Sequence, residues 1–541
     1  MSAHQTRLGL GVSFVALALA GCATDEALLD EGDDRESPAD LATSEITGAN
    51  AVGRNATIQS YVLVRVGASD AEVQRAAVQQ MRPLFGALKA MDIGLGRRLD
   101  TASAPGFIDV RTFQRDTVDV IDPSRPEARV GQMDRVRFTY TDRAIVTMRL
   151  QSRRAIATTT LFGDYNAHAD QVVSQCQSEK MDWGASGIWY NYEPETSTCQ
   201  TLIRAETTRL AAERRLLRNG DREVTVNEST RWFTPISVKL TTISRSETKY
   251  PDYHRVWDDG QLVIGSFFGE DKHDDPNDYG ARNYFTYLRT VLQARPELRV
   301  AAAGTDLTTM TFNGATVANV TALQAAQWIV DRTGYPAQVP AAMRDAFRQA
   351  VIRQWRDKTV TLSAPVSVSI NGAARTGSAQ VRVYYGNEEG AGTGAVQRYQ
   401  AAFRDVDVFQ YTGHSHLGSG PLDARNYTAA SFPNRYQVLM INSCVSFNYY
   451  NAFFEMHPGG TLNLDTVTNG LPVFLEGSGL SSARFAVAFL DGRFRSYADI
   501  LGAMRVDLPW ERAHDANRVA DGETDNTFTP TRQRMTLTFP R

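Results

Sequence analysis

Hydrophobic and polar positions divide this chain into two stretches with different rhythms. From residue 58 to about 149, strand-like runs mix with helical periodicity. Residues 61–66 (Tyr-Val-Leu-Val-Arg-Val) read as a strand, and apolar positions at helical spacing follow from Asp70, the expected N-cap, to about Met81. Pro83 should stop or kink that helix. The alternation in 136–140 and 144–148 predicts a hairpin turning at Thr141, Asp142 and Arg143. Residues 206–217 predict a helix and 236–244 a strand, and the aromatic run Ile188-Trp189-Tyr190-Asn191-Tyr192 reads as a half-buried strand. This is an α+β region without recognisable chemistry.

Beyond residue 255 the runs become longer and more continuously apolar. A strand at 261–268 leads into the acidic loop 269–278 and then a helix over about 279–293. Helices are expected at 321–333 and 340–357, and alternating Val with Ser or Thr over 359–385 predicts a hairpin turning at Asn371-Gly372. A glycine-rich loop at 386–394 precedes a short helix at 395–404. Then come three apolar runs, 406–411, 438–441 and 472–475, each closed by Gly or Ser. Such runs read as strands buried on both faces of a parallel sheet. The architecture expected is α/β, a three-layer sandwich with a mostly parallel sheet, preceded by the α+β region. A helix from about Phe447 is expected after the second run.

Two of these strand ends carry chemistry. The first continues into Gly413, His414, Ser415 and His416, and the second into Asn442, Ser443 and Cys444. If the strands are neighbours, an imidazole and a thiol project into one crevice at the carboxyl edge of the sheet. Within hydrogen-bond reach they form an activated nucleophile. His416 would share a face with His414 only if the strand continued that far, and it stands as the alternative base. The clustered carboxylates of 270–278 admit calcium through oxygen ligands, but their spacing matches no EF-hand and Lys272 lies among them. A solvated loop with N-capping acids is the plainer expectation, and no metal or other cofactor is assigned. The 386–394 loop has two acids and no Lys, so it fails both nucleotide-binding fingerprints.

The start of the chain changes where these residues are expected to work. Residues 8–18 are apolar but too short for a stable span, and Leu19-Ala20-Gly21-Cys22 follows. This resembles the lipobox of bacterial lipoproteins, which implies cleavage before Cys22, lipidation of Cys22 and a place in the cell envelope. Ala23 after the Cys favours the outer membrane by the same resemblance. Residues 23–55, with nine carboxylates between Asp25 and Glu45 against Arg35, read as an acidic disordered tether. In an exported chain Cys176 and Cys199 are expected to pair as a disulfide, leaving Cys444 as the odd thiol. The formal net charge of −4 gives no footprint for nucleic acid.

Tyr411-Thr412-Gly413-His414 followed by Asn442-Ser443-Cys444 resembles the catalytic region of the gingipain-type cysteine peptidases, in the caspase superfamily. The resemblance covers residues 380–490, with 256–541 as the domain and 56–255 outside it. It implies a caspase-like sandwich, Cys444 as nucleophile, His414 as acid/base, and an oxyanion site from the backbone N–H groups of Ser415 and Cys444. A peptide or protein would be the substrate. The sequence departs from the pattern at Ser415, where the family has Gly. That departure keeps open a second reading, an inactive caspase-like lipoprotein that binds a peptide or envelope partner.

Overall fold

The computed structural model describes residues 46–540 apart from 97–107, 178–186, 243–247, 303–304, 389–393, 417–419, 451 and 507–515. The signal segment, Cys22 and most of the expected tether lie outside the described residues. The tether does not reach residue 55, because Ile46–Gly48 and Ala51–Arg65 are strands.

The molecule is a mixed α/β protein built on two large sheets. A ten-stranded sheet has as its centre five mutually parallel strands, in the order Leu464–Asn469, Gln437–Asn442, Val408–Thr412, Gln261–Gly269 and Ala373–Gly386. Antiparallel strands flank this centre, with Arg518–Asp521 and Ile46–Gly48 on one side and Lys358–Ile370 on the other. Side chains alternate between faces along each central strand. Ile264, Phe268, Val438 and Met440 enter one core with the helices Tyr279–Ala294 and Ser478–Leu490, while Phe267, Phe409, Leu439 and Ile441 enter another. Burial on both faces is why these strands read as unbroken apolar runs.

The second core is shared. It takes in Val62, Leu84, Trp189 and Tyr190 from the N-terminal part together with Phe403, Tyr449 and Tyr450. The seven-stranded N-terminal sheet is built on Ala51–Arg65 and the long strand Arg125–Thr147, paired antiparallel from Ala51↔Thr147 to Arg65↔Met133. The hairpin expected at 141–143 is therefore absent. The strand runs straight through, and the buried Asp142 carboxylate is satisfied there by the Tyr140 hydroxyl at 2.7 Å.

Other expectations are corrected in the same way. Ser69, not Asp70, caps the helix Asp70–Met81, in a capping box with Glu72. Pro83 does separate it from the next helix, Leu84–Lys89. Residues 188–192 are not a strand: Ile188–Asn191 is a buried helical turn packed on Phe85. The nearby helix is Ser197–Arg214, tied by the Cys176–Cys199 disulfide to the end of the helix Ala169–Gln175. The third parallel strand is Leu464–Asn469 rather than 472–475. Its Asp465, Thr466 and Thr468 are buried polar residues, which hid it from an apolar reading, and Pro472 has no N–H to give a ladder. After the Cys strand the chain makes a 3-10 turn, Ser446–Asn448, before the helix Ala452–Met456. The hairpin at Asn371-Gly372 forms as expected, from Lys358–Ile370 and Ala373–Gly386.

Candidate functional site

The strand ends come together in register. Thr412 pairs with Asn442 on one side and with Phe268 on the other. His414 lies two residues past Thr412, Cys444 two past Asn442, and Asp271 three past Phe268. The carboxyl edge of three adjacent parallel strands thus presents an acid, an imidazole and a thiol in that order. This edge is where open α/β sheets place their ligands.

Asp271 was missed by reading the acidic loop as solvated. Its Oδ1 is 3.0 Å from His414 Nε2, and the imidazole side chain is 43% exposed against 15% for the carboxylate. The loop is held from below by Asp278, whose Oδ1 accepts from the N–H groups of Asp271 (2.8 Å) and Lys272 (2.6 Å). Its Oδ2 accepts from Ala281 N and from the Tyr385 hydroxyl. Burial pushes the Asp278 carboxyl above its usual range. One signal was available in the sequence: the loop follows a strand closed by Gly269, just as the His and Cys turns follow theirs.

His416 is placed differently from His414. The strand stops at Thr412, the chain turns, and His416 adopts a left-handed backbone (φ +47°) with its ring centre 6.1 Å from that of His414. The His414 carbonyl is fixed by the Tyr411 hydroxyl at 2.9 Å. Gly413 is required by this turn, since a β-carbon there would lie 2.6 Å from the same hydroxyl.

The Cys444 sulfur is 3.6 Å from the Val473 carbonyl, a contact the protonated thiol makes as donor. Burial pushes this thiol above its ordinary value, while the ammonium of Lys89 from the N-terminal part acts in the opposite sense. Lys89 lies 4.1 Å over the Tyr190 ring, and Trp189 meets Tyr449 edge-on. The N-terminal part therefore packs along the thiol side of the crevice. Among the described residues, no hydrogen bond joins Cys444 to His414.

Backbone strain marks the thiol turn. Val445, a β-branched residue, is held at φ +45°, ψ +34°. Such a conformation costs on the order of 1–3 kcal/mol and persists only where its surroundings over-determine it. Here they do: Val445 is fully buried, and its N–H is bonded to the Leu471 carbonyl at 3.1 Å. Behind it the buried Arg518 bonds Asn442 (2.9 Å) and Asn469 (3.0 Å), and Asn469 bonds the Ser443 carbonyl.

Other acidic groups stand out in the sequence. Glu270 and Asp274 of the acidic loop both pair with Arg356, and the described residues hold no cluster arranged for a metal. Glu388, on the glycine-rich loop, is buried, and its carboxyl has no hydrogen-bond partner among the described residues. That burial pushes it up to about 8. Comparison of the chain with known protein families, curated proteins and solved structures finds no match.

Proposed function

We propose that this chain is a hydrolase of peptide bonds with a caspase-like C-terminal domain and a Cys444 nucleophile. The observation that carries the reading is the in-register arrangement of Asp271, His414 and Cys444 on three adjacent strand ends. In the reaction the thiol turns from the Val473 carbonyl toward His414. The imidazole takes the S–H proton, and the sulfur attacks the scissile carbonyl. Asp271 orients the ring and stabilises the imidazolium, as the third group does in other nucleophile–base pairs. The N–H groups of Ser415 and Cys444 bond no other backbone carbonyl among the described residues, and they are the donors this reading assigns to the oxyanion. His414 then protonates the leaving amine, and water releases the acyl group from sulfur. The lipobox at Cys22 and the acidic tether support a working place at the cell envelope, on a lipid anchor.

A specific observation favours the second reading, a non-catalytic peptide-binding module. Burial raises the thiol above its ordinary value where it faces the Val473 carbonyl, and Ser415, itself buried, stands where the family has glycine. Labelling with a peptide electrophile separates the two. Hydrolysis requires labelling at Cys444 that falls at least tenfold in His414→Ala, whereas equal labelling in wild type and His414→Ala leaves only the binding module.

A further inference from the structure

We infer that Arg356 is a positioning residue that holds Asp271 against His414, an inference that rests on the hydrolase reading above. Arg356 caps the carboxyl end of the helix Arg344–Trp355, away from the strand ends in sequence, and no motif singles it out. Its Nη1 is 3.1 Å from Glu270 Oε1, 3.2 Å from Asp274 Oδ1 and 3.0 Å from His273 Nδ1. Glu270 and Asp274 bracket Asp271 in the chain, so one guanidinium ties down both sides of the residue that meets the imidazole.

The Glu270 side chain is 4% exposed, and its second oxygen is 3.2 Å from His273 Nδ1. A carboxylate so deeply placed keeps its charge only beside a cation; otherwise it takes up a proton or moves toward water. Without Arg356 the tie between Glu270 and Asp274 is gone, and the segment that carries Asp271 loses its clamp whether or not residue 270 is charged. Asp278 anchors the N–H groups of Asp271 and Lys272, and the Gly386 carbonyl accepts from Glu270 N, but among these ties Arg356 is the one that joins the side chains of Glu270 and Asp274. Positioning errors of about 1 Å at a base cost large factors in rate. The clamp thus acts through Asp271 and never touches substrate.

The test follows alkylation of Cys444 by iodoacetamide on the full chain, read by peptide mass analysis. The His414-dependent rate is the difference between wild type and His414→Ala. Asp271→Asn and Arg356→Met should each slow that rate ~10-fold, and the double variant should be no slower than either, because both act on one interaction. Arg356→Lys should recover most of the loss. The pair Glu270→Gln with Arg356→Met leaves no buried anion without its cation, so it should fold normally and remain slow. It decides the matter should Arg356→Met alone fail to fold. Wild-type rates in that pair, with Asp271→Asn still slow, would overturn the clamp and leave the hydrolase reading standing. Wild-type rates in both His414→Ala and Asp271→Asn would overturn the hydrolase reading and the clamp together.

Discussion

The two ends of the central sheet both gather polar side chains, but in opposite ways. At the carboxyl edge, Asp271 and His414 meet in a crevice that solvent reaches, beside a strained turn carrying a thiol. At the amino edge, Asp465 is sealed in the core, where the hydroxyls of Tyr436 and Tyr497 and the amide of Asn526 converge on its Oδ2. Burial pushes Asp465 up to about 7, and it pushes the neighbouring Glu523 well above its ordinary value. A perturbed carboxyl is often taken as a sign of function. Here strongly perturbed carboxyls lie at the end without an opening, and desolvation is the largest cause, with neighbouring carboxylates adding to it. Access, strain and a partner aimed at a reactive group distinguish the other end.

The contrast breaks most directly at Cys444. Cys444→Ala should abolish covalent labelling, and His414→Ala should lower it by ~10²–10³-fold, while thermal unfolding stays near wild type. Loss of folding in either variant would make this edge structural like the other.

The next effect concerns pH. The folded chain keeps a proton on Asp465 that the unfolded chain has released, since its pKa rises from 3.8 to about 7 on folding. The contribution of Asp465 to stability should therefore be full below the ordinary carboxylate range, fall as pH rises from about 4 to about 7, and level off above. Each pH unit in that window costs up to ~1.4 kcal/mol. Asp465→Asn should flatten this slope in denaturant titrations, and an unchanged slope would mean that Asp465 is ionised in the fold. Glu388, pushed up to about 8, adds its own slope and is removed separately by Glu388→Gln.

Smaller effects sharpen the same line. Tyr436→Phe removes a hydroxyl that donates to Asp465 and accepts from Asp252 N at 3.1 Å. It should cost ~1–3 kcal/mol of stability and leave Cys444 labelling unchanged. Asp271→Asn should do the reverse, slowing labelling ~10-fold, about 1.4 kcal/mol in the barrier, with little change in unfolding midpoint. Crossed results, labelling lost with Tyr436 or stability lost with Asp271, would erase the distinction between the two ends.

Much of the fold was legible where periodicity and punctuation agreed. The helix Tyr279–Ala294, the hairpin at Asn371-Gly372 and the His and Cys strands stand where their patterns placed them. Reading failed where burial was polar or context overrode propensity. Leu464–Asn469 is a central strand with Asp and Thr inside, Arg125–Thr147 runs through a Thr-Asp-Arg that resembles a turn, and 188–191 coils where aromatics suggested a strand. In each case the deciding contacts come from segments distant in sequence.

The candidate site divides the same way. By itself the sequence picked out His414 and Cys444, because a reactive side chain after an apolar run and a small-residue turn is a local pattern. It also paired Cys176 with Cys199 by counting thiols, and the disulfide is there. Asp271 became a partner of His414 only through the tertiary structure, as did the seating of Lys89 near the thiol. The order of parallel strands decides which loops meet, and no local pattern encodes that order. His414 and Asp271 are 143 positions apart in the chain, yet their strands are hydrogen-bonded neighbours.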